Sequence, residues 1–179
     1  MCIIKIFKEG EISSKELDDL WEQNPHGAGI GLIDNCLSLK VPLRTFDKEE
    51  FKTVLTRYLQ SEDYKTLVFH MRYRSRGSLD SVNINPIFID DKTVMFHNGT
   101  LSNYSNNHYS DSLMFVFNVI HNIDGFDIEN KYHIELIEHA LLDNPSRLVF
   151  LQEGKEHPLI INNKGVGYWH LNKKQWSSK

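Results

Sequence analysis

Cys2 directly follows Met1, and this position can give the cysteine a chemistry that it would lack elsewhere in the chain. Removal of Met1 leaves a thiol and a free α-amine on one residue. A terminal amine has a pKa of about 7.7–8.0, so a useful fraction is neutral near pH 7 and can act as base for the thiol. Cysteine is also common in buried strands. We therefore expect Met1 to be removed and treat Cys2 as a candidate nucleophile.

A pair of possible hydrogen-bond donors ends a predicted strand at Asn98-Gly99. An asparagine side-chain amide and a glycine backbone N–H are suitable parts of an oxyanion hole, where each donor lowers the barrier by roughly 3–4 kcal/mol. The same dipeptide is common in turns. Taken alone, Asn98-Gly99 favours a plain turn.

Two side chains of opposite charge could hold the ends of an amino acid. Residues 70–77 begin within an apolar strand and place Arg72 near its end, where a guanidinium can bind a carboxylate through two hydrogen bonds. Asp111 precedes a predicted helix. It either caps that helix or binds an ammonium group. A solvated surface position is the ordinary alternative for any single arginine of this stretch.

The apolar pattern predicts groups of strands separated by helices that would position these residues. Ser13 and Asp47 are predicted to cap the first two helices, and the first helix is expected to end near Asn24-Pro25. Cys36 is expected to lie in the second strand of a hairpin as a packed, unreactive thiol. The predicted elements are strands over 2–7, 27–33, 36–41, 66–73, 87–89 and 93–96, helices over 111–120 and 133–142, and three short strands within 147–170.

The order of these elements contains no repeated βαβ unit, which favours an α+β fold with antiparallel sheets covered by helices. Residues 27–31 read Gly-Ala-Gly-Ile-Gly, a pattern that indicates close approach of another backbone segment. The chain has 179 residues and no linker rich in Pro, Gly or Ser, so we predict a single domain over 1–179.

The composition argues against several classes of protein. The net charge is −4 and basic residues form no patch, so direct nucleic-acid binding is not expected. The two cysteines make no disulfide framework, and no apolar stretch is long enough for a membrane span or a signal segment, so we expect a cytoplasmic location. The histidines lack metal-ligand spacing, and the tryptophans, Trp21, Trp169 and Trp176, are expected in the core.

Taken together and in this order, the motifs resemble those of the class II glutamine amidotransferases, which belong to the N-terminal nucleophile hydrolases. The resemblance covers about the first 120 residues, and the chain is most similar to the short stand-alone members that lack a fused synthetase. It rests on Met1-Cys2, the glycines of 27–31, His70 to Gly77 with Pro86 downstream, His97-Asn98-Gly99, and Ser110-Asp111.

The resemblance implies a fold and a set of roles. The fold would be a four-layer αββα sandwich, with two mainly antiparallel sheets between helix layers. Cys2 would be the nucleophile with its own amine as base. The side chain of Asn98 and the backbone N–H of Gly99 would form the oxyanion hole.

The resemblance also implies how the substrate would be held. Arg72, helped by Ser75, would bind the α-carboxylate of glutamine, and Asp111 would bind its α-ammonium group. Ser75 stands where threonine is common in the family, and it keeps the hydroxyl.

The implied reaction is hydrolysis of the glutamine side-chain amide through a γ-glutamyl thioester, without a metal or an organic cofactor. Since the chain carries no nucleotide-binding motif, a separate synthetase or amidating partner is expected to use the ammonia. One alternative is an amidase that acts on another γ-glutamyl compound. Another is a glutamine-binding regulatory module without turnover, against which the intact Cys2, Asn98 and Asp111 argue.

Overall fold

The computed structural model describes residues 2–75, 77–104, 106–141, 144–162, 167–169 and 175–178. Met1, Arg76, Leu142 and His170, which belong to predicted motifs or elements, lie outside these ranges. The helices are α1 (Ser14–Gln23), α2 (Lys48–Ser61), α3 (Asp111–Asn118) and α4 (Lys131–Leu141). The strands are β1 (Ile3–Phe7), β2 (Ala28–Ile33), β3 (Leu39–Thr45), β4 (Thr66–Met71), β5 (Ile87–Asp90), β6 (Thr93–Asn98), β7 (Arg147–Gln152), β8 (Leu159–Asn162), β9 (Gly167–Trp169) and β10 (Gln175–Ser178).

Among the described residues the strands form two antiparallel sheets. One sheet has six strands in the order β3-β2-β4-β1-β10-β9, and the other has four in the order β5-β6-β7-β8. The register of β1 against β4 pairs Ile3 with Met71, and that of β6 against β7 pairs Asn98 with Arg147. The start of β1, beside Cys2, and the end of β6, at Asn98, are therefore positioned by pairing between strands that are distant in sequence.

Alternating side chains place the two sheets between two helix layers. Ile4 and Ile6 of β1 face Val94 and Phe96 of β6, in an apolar layer between the sheets. Phe7 points the other way, because successive strand residues point to opposite faces. On that face the six-stranded sheet is covered by α1 and α2, through buried residues that include Leu17, Trp21, Phe51 and Leu55.

The second helix layer completes the sandwich. Met95 and Phe150, from the outer face of the four-stranded sheet, pack against Phe115 of α3 and Ile137 of α4. The predicted four-layer α+β architecture is therefore confirmed. Burial of Trp21 and Trp176 also agrees with the prediction from the sequence.

The predicted close approach at the glycine motif occurs at Gly29. A Cβ atom on Gly29 would lie 2.0 Å from the backbone oxygen of Asn85, a distance that no side chain can tolerate. The side chain of Asn85 accepts a hydrogen bond from the backbone N–H of His97 at 2.8 Å. The absence of a side chain at position 29 thus lets the segment before β5 pack against β2 and support the end of β6.

Local capping signals were predicted correctly. Ser13 caps α1 and Asp47 caps α2, each accepting a hydrogen bond from a backbone N–H three residues later. The first helix ends at the predicted Asn24.

The prediction for Cys36 is wrong. The carboxylate of Asp34 accepts hydrogen bonds from the backbone N–H groups of Cys36 and Ser38, both at 2.9 Å. These bonds hold a turn over 34–38, and β3 begins only at Leu39. Cys36 is consequently an exposed thiol in a turn and not a packed strand residue.

The strand β10 was not predicted. Its four residues, Gln-Trp-Ser-Ser, contain only one apolar side chain, Trp176, which is buried between the sheets. The segment is a strand because it pairs with β1, where Lys5 lies opposite Ser177. Such long-range pairing leaves no periodic signal in so short a segment.

Candidate functional site

Cys2 lies directly before β1 and contacts the loop that follows β4. The backbone N–H of Tyr73 donates to Cys2 Sγ at 3.2 Å, and the thiol lies 3.4 Å from the carbonyl oxygen of the same residue. Burial raises the pKa of the Cys2 thiol, an effect that outweighs the opposite influence of the Tyr73 hydrogen bond and of Arg72. A thiol in this position needs a base to become a nucleophile at neutral pH.

Arg72 is held at the end of β4 by backbone and side-chain hydrogen bonds. Its N–H donates to the carbonyl of Gly27 at 2.8 Å, and its own carbonyl accepts from His26 at 3.0 Å. One guanidinium nitrogen donates to the carbonyl of Ser78 at 3.1 Å. Burial lowers the pKa of Arg72, but a guanidinium keeps its proton in proteins. The site therefore contains a buried positive charge of fixed position.

His26 supports the loop between Arg72 and Ser75. Its Nδ1 accepts a hydrogen bond from the backbone N–H of Arg74 at 3.0 Å, and its ring lies 5.3 Å from that of Tyr73. Burial lowers the pKa of His26, and the positive charges of Arg74 and Arg72 act in the same direction. A neutral ring is what this acceptor role requires.

Asp111 is not the cap of α3. Ser110 takes that position, with its hydroxyl accepting from the backbone N–H of Leu113 at 3.2 Å. The buried carboxylate of Asp111 instead accepts from the N–H of Leu101 at 2.7 Å and from that of Ser112 at 2.9 Å. Asp111 thereby ties the loop after Gly99 to the beginning of α3.

Asn98, the last residue of β6, is fully buried and connected to β1 through Ser178. Its Nδ2 donates to Ser178 Oγ at 2.9 Å, and the same hydroxyl accepts from the backbone N–H of Ile4 at 2.8 Å. Within the described part of the chain, Asn98 Oδ1 has no hydrogen-bond partner. The end of β6 is therefore linked to the strand that carries Cys2.

Gly99 occupies a position that excludes a side chain. Its φ is 156°, and a Cβ atom would lie 2.6 Å from Ser146 Oγ and 3.0 Å from the carbonyl oxygen of Pro145. The backbone here passes directly against the segment before β7. This close contact is a physical reason for glycine in the motif.

A narrow cavity of about 20 Å³ connects five of the six site residues that the sequence predicted: Cys2, Arg72, Ser75, Gly99 and Asp111. The sixth, Asn98, adjoins Gly99 in the chain but does not line the cavity. A volume of this size holds about one water molecule. Binding of an amino acid therefore requires the lining to move, and Tyr73 and Ser75 form its exposed part.

Two buried histidines also line this cavity and were not assigned a role from the sequence. His97 Nδ1 lies 2.8 Å from Ser112 Oγ, and its Nε2 lies 3.2 Å from Ser146 Oγ. Burial lowers the pKa of His97, and burial followed by the influence of His97 lowers that of His70 to about 3. Both rings are therefore neutral at physiological pH. Their positions inside the two motifs, directly before Met71 and Asn98, were the available signal.

In the described ranges, no group of three or more His, Cys, Asp or Glu side chains could hold a metal ion. No helix in the same ranges is long and apolar enough to cross a membrane.

Known proteins resemble this chain in structure. No protein-family model and no curated protein sequence matches it. The glutamine phosphoribosylpyrophosphate amidotransferase of B. subtilis, complexed with ADP and GMP, matches 99% of the chain with a TM-score of 0.60 and 16% identity. The chain shares its fold with glutamine amidotransferases. A structure of the allosteric regulatory enzyme of purine biosynthesis matches 99% of the chain with a TM-score of 0.60 and 17% identity.

The chain spans 41% of the length of each of these two enzymes. A glutamine aminotransferase class-II domain protein from Silicibacter pomeroyi is also matched, over 98% of the chain and 87% of that protein, with a TM-score of 0.49 and 12% identity. The first two structures, with TM-scores of 0.60, independently show the fold that the sequence motifs imply.

The neutral buried His70 predicts a specific dependence of stability on pH. Its pKa is about 3 in the folded protein and about 6.5 in the unfolded chain, so the unfolded chain binds more protons below pH 6.5. The stability contributed by the neutral ring is complete above this pH and is lost as the pH falls. When the pH is lowered from about 7.5 to about 5, we expect the free energy of unfolding of wild type to fall by about 2 kcal/mol more than that of His70→Gln.

Urea unfolding at the two pH values measures this difference. The exposed His139 provides the control, because its side chain lies outside the core, and His139→Gln should behave as wild type. The same pH dependence in His70→Gln and wild type would show that His70 does not titrate in this way.

Proposed function

We propose that the protein hydrolyses the side-chain amide of glutamine to glutamate and ammonia, with Cys2 as nucleophile and Met1 removed. The observation that carries the proposal is the cavity in which Cys2, Arg72, Gly99 and Asp111 meet, although they come from four separate segments. A thiol, a cation, an anion and a backbone segment are the groups needed to attack an amide while both ends of an amino acid are held. The fold shared with glutamine amidotransferases supports the same reaction.

In this mechanism the free α-amine of Cys2 takes the proton of its own thiol, whose pKa burial raises. The thiolate adds to the amide carbon, and the tetrahedral intermediate collapses as the amine returns the proton to the departing ammonia. A water molecule, deprotonated by the same amine, then hydrolyses the γ-glutamyl thioester to glutamate. Gly99, through its backbone N–H, and Asn98, through its side chain, stabilise the oxyanion in both steps.

Substrate recognition in the proposal rests on opposite charges. Arg72, assisted by the hydroxyl of Ser75, binds the α-carboxylate, and Asp111 binds the α-ammonium group. Both charged side chains are at least 95% buried, with 4% and 5% exposure respectively. In such surroundings a charge is attracted to its partner more strongly than in water.

The orientation of the Asn98 amide follows from the donors and acceptors around Ser178. Ser178 Oγ accepts from Ile4 and from Asn98 Nδ2, while Asn98 Oδ1 accepts from no described residue. A half-turn of the amide exchanges its oxygen and nitrogen. The Ser178 hydroxyl can then donate to Oδ1 while still accepting from Ile4, and Nδ2 is released as a donor. We propose this arrangement for catalysis.

The proposal treats residues 1–179 as one glutaminase domain in the cytoplasm, where Cys2 stays reduced. Residues 1–179 carry no glycine-rich phosphate-binding motif of the kind that a nucleotide-dependent synthetase uses. In the proposal the ammonia passes to a separate synthetase or another amidating partner. The half-reaction requires neither a metal nor an organic cofactor.

The identity of the nucleophile is tested with Cys2→Ala. Alanine is also small enough to allow removal of Met1, so this variant keeps the terminal amine and loses only the thiol. Release of ammonia and glutamate from glutamine should fall about a thousandfold or more. Cys36→Ala is the matched control and should retain full activity, because Cys36 lies exposed in a turn. Substantial glutaminase activity in Cys2→Ala would contradict the proposal.

The role of Asp111 is tested by changing its charge and keeping its shape. Asn at this position can still accept the hydrogen bond from Leu101, so the loop should remain in place. Loss of one member of a buried charge pair costs on the order of 2–5 kcal/mol, so kcat/KM for glutamine should fall roughly 30- to several-thousand-fold. For an analogue without the α-amino group, kcat/KM should fall much less. Equal losses on both substrates would assign Asp111 a purely structural role.

Ser178 is proposed to position Asn98 and is tested by the separate effects on kcat and KM. Ser178→Ala should lower kcat about 10- to 100-fold with little change in KM, because the Asn98 amide, a donor to the oxyanion, is no longer held in position. Ser178→Thr keeps the hydroxyl and should restore most of the activity. The buried neighbour Ser177 supplies the control variant Ser177→Ala, with kcat unchanged. Equal loss of kcat in Ser178→Ala and Ser178→Thr would exclude this role.

A further inference from the structure

A second and larger cavity adjoins the one described above. Its volume is about 420 Å³, and it shares Cys2, Tyr73, Ser75 and Gly99 with the inner cavity. Arg72 and Asp111 line only the inner cavity, whereas Arg147 lines only the outer one. The nucleophile and the glycine beside it thus stand at the junction of two compartments.

With Cys2 at the junction, the two cavities would lie on opposite sides of the amide bond that is cleaved. The proposed charge pair holds the amino-acid end of a γ-glutamyl substrate in the inner cavity. An amide carbon placed at Cys2 then directs its nitrogen substituent away from that end and toward the outer cavity. The space is large enough for an amine that carries substituents.

Arg147 gives the outer cavity its charge. It is the first residue of β7, stands opposite Asn98 in the register, and is 3% exposed. No carboxylate in the described ranges forms a salt bridge with it, and its Nε has no hydrogen-bond partner there. A buried charge is normally paired, because removing an ion from water is unfavourable. A buried guanidinium on the wall of a cavity is therefore suited to receiving an anion from a ligand.

The remaining wall of the cavity indicates the kind of anion. Thr100, Ser102 and Asn144 contribute uncharged polar side chains, and Arg147 is the one cation that lines the outer cavity among the described residues. A single guanidinium matches a carboxylate in charge and in the spacing of its donors.

We propose that the outer cavity binds an amine that bears a carboxylate, such as an amino acid, and that Arg147 recognises this carboxylate. The inference rests on the proposed γ-glutamyl chemistry and extends its substrate class to γ-glutamyl amides of amino acids. In the first step Cys2 forms the γ-glutamyl thioester, and the released amino acid takes up the proton that came from the thiol. In the second step water hydrolyses the thioester to glutamate and restores the thiol. Arg147 acts in recognition and takes part in no proton transfer.

A matched pair of substrates tests the proposal with the full-length protein. γ-Glutamylglycine and γ-glutamylglycinamide differ only in a carboxylate that is replaced by a carboxamide. Wild type should hydrolyse γ-glutamylglycine with a kcat/KM about 10- to 100-fold higher. Arg147→Met has a similar side-chain length without the charge and should reduce this preference to near unity. Arg57→Met, which removes an exposed cation on α2, should preserve the preference.

The outcomes separate this inference from the function on which it rests. If wild type hydrolyses glutamine but shows no preference for γ-glutamylglycine, the inference is overturned and the glutaminase proposal stands. Preservation of the preference in a folded Arg147→Met variant overturns it as well. If wild type hydrolyses neither glutamine nor the two amides, both proposals are overturned. The comparison of the two amide substrates, measured with the wild-type protein, remains decisive even if Arg147→Met does not fold.

Discussion

The pairing of β1 with β4 is the constraint on which the site depends. Ile3 lies opposite Met71, and this register brings the residue before β1 against the residues after β4. Cys2 consequently contacts Tyr73 at both backbone polar groups. A slip of one residue would turn Ile4 and Ile6 from the inter-sheet layer toward the helices. Because that exchange would disrupt the apolar core, the same core that stabilises the fold also fixes the position of the thiol.

Burial explains the electrostatic character of the site. Cys2, Arg72 and Asp111 meet at the edge of the sandwich, where protein atoms replace much of their hydration. The nearby His70 and His97 are neutral for the same reason and add no charge that would compete with a substrate. A site of this kind binds a ligand strongly only when the ligand carries charges opposite to those of Arg72 and Asp111. It also leaves the thiol dependent on a nearby base, a need that a free terminal amine would meet without any additional side chain.

The sequence carried enough information for features that depend on local signals. The helix caps at Ser13 and Asp47 and the alternation of strand residues are properties of neighbouring positions, and they led to the correct layers. Features that depend on distant pairing could not be predicted. β10, with the Ser178 link to Asn98, forms only because β1 offers an edge. The error at Cys36 has a local cause: the turn that Asp34 organises extends to Ser38, so β3 begins three residues later than the pattern predicts. Five of the six site residues that the motifs predicted line the inner cavity, whereas Arg147 appeared in the sequence as an ordinary strand residue.

The central claim is that Cys2, as the N-terminal residue of the mature chain, forms a γ-glutamyl thioester. Its most direct test is mass spectrometry of active protein that is mixed with glutamine and quenched in acid during turnover. The account predicts a chain without Met1, with a γ-glutamyl group on the peptide that begins with Cys2 and loss of this group on treatment with hydroxylamine. Fully active protein that retains Met1, or a γ-glutamyl group carried by Cys36, would contradict it.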